Sequence, residues 1–192
     1  MTDKIVDIRL HGRGGQGVMT SSYLIAEAAL LEDKYVHAFP TFGPERSGAP
    51  IAAFARISDE KFYIKSEIYE PDIVVVQDPS LLGQINVTAG LLENGIILIN
   101  TSDPFSESIK IVREKRPDVK LATVNASKIA REEIGLAVTN TSILGAMCKI
   151  TGERVITLKA LEEAVKNRFK DKLDIAHKNI NAIKRSYQEV VN

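Results

Sequence analysis

Two loops in this chain of 192 residues carry the residue types that bind anions. The first is HGRGGQG, residues 11–17, in which Gly12, Gly14 and Gly17 stand at G-x-G-x-x-G spacing and Gly15 adds a fourth glycine. Glycines let backbone N–H groups approach a ligand closely, and a helix predicted directly behind them points the positive end of its dipole at the same spot. This loop therefore predicts a site for phosphate or carboxylate.

Arg13 and Gln16 place two long polar side chains inside this glycine loop. Both can donate hydrogen bonds to an anionic ligand or to a partner chain, and the alternative is that they point into solvent. The glycines also have a simpler explanation, because tight strand-to-helix turns use glycine without any ligand.

The same spacing, between a strand and a helix, is that of a dinucleotide-binding fingerprint. An NAD-type site also needs an acidic residue near the end of the second strand, where it binds the ribose hydroxyls. Here that predicted strand ends in AFPTFG, while Glu32 lies at the end of the first helix and Glu45 comes later in an irregular loop. The missing acid disfavours NAD.

The second loop, GPERSGAP at residues 43–50, combines shaping residues with charge. Its glycines and prolines restrict the backbone, and the loop carries Glu45 and Arg46, followed by Ser47 and Gly48. Such a loop suits binding of a phosphate or docking of a partner. The alternative is a surface salt bridge, which contributes little to stability and gives little reason to shape the loop so strongly.

The sequence offers few residues for catalysis. His11, His37 and His177 are scattered without metal-ligand spacing, and there is no G-x-S-x-G elbow or Walker A lysine. Cys148 lies in the apolar stretch ILGAMCKI, which indicates an inert core thiol. Asp78 closes a buried strand and could face the ligand-binding edge, but its expected role is an Asp-Pro turn. We therefore predict no catalytic residue and no metal site in this chain.

The elements that must position the two loops alternate between strand and helix. Strands are predicted at residues 5–10, 35–39, 51–57, 62–65, 72–78, 95–100 and 119–124. Helices are predicted at residues 18–31, 79–84, 88–93, 104–115, 126–134 and 140–150, and over residues 157–191 with a break near Lys172. This order predicts an α/β fold: a three-layer α/β/α arrangement with a mostly parallel, doubly wound sheet, an antiparallel hairpin at residues 51–65 and C-terminal helices.

Length and composition predict a single domain over residues 1–192. In such folds ligands bind outside the carboxyl ends of the strands. The loops after the first and second strands leave that edge together, so we expect them to be neighbours.

Composition excludes several classes of function. Lys plus Arg equals Asp plus Glu at 25 each, which gives no electrostatic argument for nucleic acid or an anionic membrane as a partner. One cysteine alone cannot form an intrachain disulfide or hold an iron–sulfur cluster. The N-terminus lacks a signal-peptide pattern and no stretch is long enough for a membrane span, so we expect a cytoplasmic protein.

The two loops together, HGRGGQGVMTSSYLIAEAAL and FPTFGPERSGAP, resemble the gamma subunits of 2-oxoacid:ferredoxin oxidoreductases. The similarity continues through IYEPDIVVVQDPSLL, GIILINTS and NTSILGA, up to about Gly152. The FGPERSGAP form resembles the pyruvate branch, and the 2-oxoisovalerate branch looks similar there, whereas the 2-oxoglutarate and indolepyruvate branches differ.

The resemblance implies a division of labour between subunits. The family converts a 2-oxoacid and coenzyme A to an acyl-CoA and CO2 and passes electrons to ferredoxin. Thiamine diphosphate is expected on the alpha and beta subunits and iron–sulfur clusters on the beta and delta subunits, so this chain is expected to bind no cofactor alone. The expected partners are the alpha, beta and delta subunits, with ferredoxin reached through the complex, and neither nucleic acid nor membrane.

In one-chain members of the family, the corresponding module contributes two loops to the coenzyme A pocket, which match residues 12–17 and 45–48 here. Those members have lysines where this chain has Glu45 and Arg46, so only Arg46 can replace them at a phosphate. The residues implied in coenzyme A binding are Gly12, Arg13, Gly14, Gly15, Gln16, Gly17, Arg46, Ser47 and Gly48.

Two rival functions stay open from the residues. In the first, both loops only dock partner chains. In the second, the chain is an independent oxidoreductase that binds NAD(P) or flavin by itself, against which the missing acid counts.

Overall fold

A computed structural model of the chain describes residues 5–40 and 48–192. Six strands form one sheet: β1 (Val6–Arg13), β2 (Tyr35–Pro40), β3 (Pro50–Ser58), β4 (Ile73–Val76), β5 (Ile96–Asn100) and β6 (Lys120–Val124). The helices are α1 (Val18–Leu30), α2 (Glu107–Lys115), α3 (Ala126–Ile134), α4 (Ser142–Ile150), α5 (Leu158–Arg168) and α6 (Leu173–Glu189), and a 3-10 helix spans Pro79–Gly83.

The sheet has the strand order β2-β3-β1-β4-β5-β6 and is mostly parallel, as predicted. The pairs β1/β4, β4/β5 and β5/β6 are parallel, and β3 runs antiparallel to both β1 and β2. As a result β1, β2 and β4 end at one edge of the sheet, where β3 begins: Arg13 lies opposite Pro50, and His11 lies opposite Val76. This edge positions the candidate site.

The predicted hairpin between residues 51–57 and 62–65 is wrong. Residues 61–65 have no regular structure, because both edges of β3 are already paired, one with β2 and the other with β1. Ile64 and Ser66 instead contribute carbonyl oxygens that accept hydrogen bonds from Nη1 of Arg56 on β3, at 3.2 and 3.4 Å. The antiparallel component of the sheet therefore comes from the insertion of β3 between β1 and β2.

The short helix predicted at residues 88–93 is also wrong, since this stretch consists of turns. Arginine side chains bind carbonyl groups of this stretch instead. Arg116 donates to the carbonyl oxygens of Thr88 and Leu91 at 3.2 and 2.7 Å, and Arg9 donates to that of Ala89 at 2.5 Å. Two neighbouring elements thus fix the backbone of this loop.

The three-layer arrangement is confirmed, because alternate residues of the central strands pack against different helices. Val75 and Leu98 belong to the core shared with α1 and α3–α6, whereas Val74 and Ile97 belong to the core shared with α2 and the 3-10 helix. All of these side chains are buried. No helix among the described residues has the length and apolar character that a membrane crossing requires.

The helix boundaries follow from local signals in the sequence. The Asn125 side chain accepts a hydrogen bond from the backbone N–H of Lys128 at 3.0 Å, which confirms the predicted cap of α3. Gly152, at φ +61°, follows the end of α4 as expected. Lys172 has a non-helical backbone between α5 and α6, where the break was predicted.

Candidate functional site

The glycine loop between β1 and α1 adopts a conformation that favours glycine. Gly15 and Gly17 have positive φ angles of +94° and +76°. A side chain at Gly17 would also place its Cβ 2.5 Å from Nδ2 of Asn140, and one at Gly12 would lie 2.5 Å from Cγ2 of Val18. Backbone geometry and close packing behind the loop thus explain the glycines at positions 12, 15 and 17.

The start of α1 offers hydrogen-bond donors. No side chain caps this helix, whose N-cap residue is Gly17. Among the hydrogen bonds between described residues, none uses the backbone N–H of Gly15 or Gly17. Unpaired N–H groups at the start of a helix, together with its dipole, attract an anion.

The glycine loop and the second loop are directly joined. The Gly14 N–H donates to the Ala49 carbonyl at 2.9 Å, and the Gly48 N–H donates to the Gly14 carbonyl at 3.1 Å. The prediction that the two loops are neighbours is therefore confirmed for the described part of the second loop. Of the residues predicted to act there, Gly48 is described, while Arg46 and Ser47 lie outside the described residues.

Arg13 points into the protein rather than into solvent. Its Nε donates to Oδ2 of Asp78 at 3.1 Å, and its Nη1 donates to the carbonyl of Gly48 at 3.0 Å. Its Nη2 donates to Oγ of Ser80 at 2.8 Å and to Oε1 of Gln84 at 2.9 Å. These four bonds connect the glycine loop with the second loop and with the 3-10 helix that follows β4.

Gln16 completes the same network. Its Nε2 donates to Oδ2 of Asp78 at 2.8 Å, and its Oε1 accepts from the backbone N–H of Arg13 at 2.8 Å. Both amide atoms are thus used inside the protein. Through these two bonds Gln16 fixes the conformation of the loop. It does not bind the backbone N–H groups of Gly15 and Gly17.

Asp78 is the residue that sequence reasoning left out of the site. Its expected turn role is confirmed, because Oδ1 accepts from the backbone N–H of Ser80 at 3.0 Å. Partial burial raises the pKa of Asp78, but the hydrogen bonds from Ser80 and Gln16 and the charge of Arg13 outweigh this effect and hold the pKa below its usual value. A signal was present, since an acid that ends a buried strand lies at the ligand-binding edge of an α/β sheet.

A second set of polar residues lies beneath the glycine loop and was also missed. Gln77, at the end of β4, donates from Nε2 to Oγ of Ser21 at 2.6 Å, and that hydroxyl donates to the carbonyl of Asn140 at 2.8 Å. Asn100, at the end of β5, donates to the carbonyl of Gln77 at 2.8 Å. These bonds fix the first turn of α1 against β4, β5 and the start of α4.

The titratable groups near the loop do not form an acid–base pair. His11 is buried, and its Nε2 accepts from Nε of Arg9 at 3.0 Å. Burial and the charge of Arg9 lower the pKa of His11 to about 4, so this imidazole is neutral at pH 7. Cys148 is fully buried, and burial raises the pKa of its thiol well above the usual range, which explains an inert core residue.

No group of three or more His, Cys, Asp or Glu side chains in residues 5–40 and 48–192 is arranged to hold a metal ion. What the edge of the sheet offers is a set of backbone donors on a rigid polar network. This arrangement can bind an anion.

Comparison with known proteins identifies the family. Residues 7–189 match the model of the pyruvate ferredoxin/flavodoxin oxidoreductase family. The chain belongs to this family. The resemblance noted in the sequence is thereby confirmed, and it extends through the C-terminal helices.

Relatives of this family member match it over nearly their whole length. The pyruvate/ketoisovalerate oxidoreductases common subunit gamma of Thermococcus litoralis is 49% identical, over 97% of this chain and 98% of that protein. The pyruvate synthase subunit PorC of Methanocaldococcus jannaschii is 38% identical, over 97% of this chain and 98% of that protein.

A solved structure supports the fold of this family member directly. The crystal structure of pyruvate oxidoreductase subunit PORC from Thermotoga maritima has 40% identity and a TM-score of 0.84, and the match covers 98% of both chains. The 2-oxoglutarate:ferredoxin oxidoreductase of Magnetococcus marinus has 21% identity and a TM-score of 0.75, over 97% of this chain and 31% of that one. At that identity the likeness concerns the fold alone, which there forms part of a longer chain.

Proposed function

We propose that this chain is the gamma subunit of a pyruvate:ferredoxin oxidoreductase complex. Such a complex converts pyruvate and coenzyme A to acetyl-CoA and CO2 with reduction of ferredoxin, in a reversible reaction. The observation that carries the proposal is the match, over 98% of both chains, to the structure of a pyruvate oxidoreductase subunit PORC. The family match over residues 7–189 supports treatment of residues 1–192 as one functional domain.

We infer that the chain acts inside the complex and has no turnover alone. Thiamine diphosphate would lie on the alpha and beta subunits and the iron–sulfur clusters on the beta and delta subunits, with ferredoxin reached through the whole heterotetramer. The buried Cys148 thiol, with its raised pKa, supports cluster ligation by other chains. The cytoplasmic location expected from the sequence stays a prediction, which cell fractionation tests.

We propose that the glycine loop and the second loop share in coenzyme A binding. Gly15 and Gly17 would contribute backbone N–H groups to a phosphate, supported by the positive end of the α1 dipole. Gly12 and Gly14 have other tasks, since Gly12 packs against Val18 and the Gly14 N–H already binds Ala49. Gly48 holds the second loop to the first.

Arg46 and Ser47 follow in this proposal from their place directly before Gly48. A guanidinium can bind phosphate oxygens through two parallel hydrogen bonds, and a hydroxyl adds a further donor. Arg13 and Gln16, whose bonds run to Asp78 and Gly48, would support the site from behind.

The test is Arg46→Ala in the assembled complex, measured by ferredoxin reduction that depends on a 2-oxoacid and coenzyme A. A lost phosphate contact raises the apparent KM for coenzyme A by about tenfold or more, with subunit assembly intact. The exposed Arg113 on α2 provides the matched control, since Arg113→Ala removes the same charge from an element outside both loops.

Two results would contradict this assignment. Unchanged kinetics in Arg46→Ala would remove Arg46 from the site. A complex that loses subunits while the remaining fraction keeps its KM for coenzyme A would show that the loop only docks a partner.

A second candidate is a gamma subunit shared by two enzymes. Four relatives at 48–49% identity are named pyruvate/ketoisovalerate oxidoreductases common subunit gamma, whereas four relatives named pyruvate synthase subunit PorC have 38–42% identity. The higher identity favours a chain that serves both a pyruvate and a 2-oxoisovalerate oxidoreductase.

A further inference from the structure

Three chain segments that are distant in sequence meet at the guanidinium of Arg13. Arg13 lies 35 residues from Gly48 and 65 residues from Asp78, yet it hydrogen-bonds both. The bonds from Nη2 to Ser80 and Gln84 connect Arg13 to both ends of the 3-10 helix. Four of the five N–H donors of this side chain are thus bound by protein atoms.

Asp78 determines where this guanidinium lies. Its Oδ2 accepts from both Arg13 and Gln16, and its Oδ1 accepts from the backbone N–H and the hydroxyl of Ser80, at 3.0 and 2.6 Å. The carboxylate therefore accepts four hydrogen bonds and is itself fixed at the end of a buried parallel strand. Because these bonds restrict the Asp78 side chain, it can hold the longer side chains of Arg13 and Gln16 in one conformation.

The fixed guanidinium acts in turn on the second loop. Nη1 of Arg13 holds the carbonyl of Gly48, while Gly14 exchanges hydrogen bonds with Gly48 and Ala49. Gly48 has a φ angle of +85° and is the first described residue after the segment that carries Arg46. These bonds therefore fix the position of Gly48 relative to the glycine loop.

We propose that Asp78 is a positioning residue: through Arg13 and Gln16 it holds the glycine loop against Gly48, and so fixes the donors at the start of α1 relative to Gly48 and Ala49. The inference rests on the proposed function for its consequence in coenzyme A binding, but not for the loop geometry itself. Asp78 acts through Arg13 and Gln16 and has no need to touch the ligand.

Asp78→Asn is the sharpest variant for this proposal. Asparagine caps helices as well as aspartate, so the bond to the Ser80 N–H can persist. The amide nitrogen of the new side chain then faces the N–H donors of Arg13 and Gln16, and it cannot accept a hydrogen bond from either. The control is Asp171→Asn, which makes the same substitution at an exposed position before α6.

The first measurement needs no activity and uses the full chain. Hydrogen exchange of the Gly14 and Gly48 amides, which bridge the two loops, is expected to become at least about tenfold faster in Asp78→Asn and unchanged in Asp171→Asn. Arg13→Lys is expected to show a smaller increase, because an ammonium keeps the charge but cannot make all four bonds.

The second measurement uses the assembled complex. Asp78→Asn is expected to raise the KM for coenzyme A by about tenfold, with kcat and the KM for the 2-oxoacid within about twofold. The double variant Arg13→Gln/Asp78→Asn is expected to cost no more than the larger single effect, because both changes break one linkage.

The two measurements separate the inference from the function on which it rests. Unchanged exchange at Gly14 and Gly48 overturns the positioning role of Asp78, whatever the kinetics. Faster exchange with an unchanged KM for coenzyme A supports the positioning role and counts against coenzyme A binding at these loops. Additive single effects in the double variant would also overturn the linkage through Arg13.

Discussion

Among single residues, His11 has a charge that its buried position controls. Its pKa is about 4 in the folded chain, against an ordinary value of 6.5, because the ring is buried beside Arg9. As the pH falls from 6.5 to 4, His11 binds a proton in the unfolded chain but stays neutral in the folded chain. The free energy of unfolding should therefore decrease over this window, by up to about 3 kcal/mol, and this contribution should stay constant below pH 4.

This prediction is checked by urea unfolding at pH 7, 6, 5 and 4 in wild type and His11→Gln. Glutamine keeps an acceptor for Arg9 but does not titrate, so the variant should lose less stability over the window. His177→Gln, which changes an exposed histidine, is the control and should follow wild type. Parallel stability curves for all three proteins would refute a buried neutral His11.

Arg13 illustrates what residue types reveal and what they leave open. The sequence correctly indicates an arginine in a glycine loop at the edge of the sheet. It does not indicate that Asp78, 65 residues away, accepts its Nε–H. Side-chain partners that are so distant in sequence depend on which strands are adjacent. The sequence pattern does not show that β4 lies next to β1.

Among the elements, the start of α1 has a backbone geometry that favours glycine. Gly17→Ala forces alanine into the left-handed region at φ +76° and places its Cβ 2.5 Å from Asn140. Gly15→Ala carries the same kind of backbone cost at φ +94°, but its Cβ meets nothing within 4 Å. We expect a loss of about 1 kcal/mol for Gly15→Ala and a clearly larger loss for Gly17→Ala.

Chemical denaturation of the two variants measures this difference. Gly83→Ala is the control, since that position has open space and no positive φ, and it should leave stability nearly unchanged. Equal losses for Gly15→Ala and Gly17→Ala would mean that Asn140 moves aside freely, and that the packing of α4 against the glycine loop is loose.

Elements with strong local signals were predicted well, and elements that depend on partners were not. α3 has both its cap at Asn125 and its amphipathic pattern in the sequence, so its bounds were predicted correctly. Residues 62–65 have a strand-like composition, but no free edge of β3 remains for them. At residues 88–93, the arginine side chains that bind the carbonyl groups come from β1 and from the residue after α2.

Across the whole molecule, the insertion of β3 between β2 and β1 brings the two candidate loops together. Had β2 paired directly with β1, β3 would not lie next to β1, and Pro50 could not lie opposite Arg13. Sequence patterns predict alternation of strands and helices, but strand order depends on pairings distant along the chain. The location of the site at the carboxyl edge was nevertheless predictable, because it follows from the direction of the parallel strands.

The number of different complexes that the chain can join is also a property of the whole molecule. A shared gamma subunit needs one surface that fits two sets of catalytic subunits, and the relatives at 48–49% identity carry names that describe such sharing. We therefore expect the tagged chain, purified from its own cells, to bring down two distinct sets of alpha and beta subunits. One set should reduce ferredoxin with pyruvate and the other with 2-oxoisovalerate, both in the presence of coenzyme A. Recovery of one set that is active on pyruvate alone would limit the chain to a pyruvate enzyme, while recovery of no catalytic subunit would contradict its role as a gamma subunit.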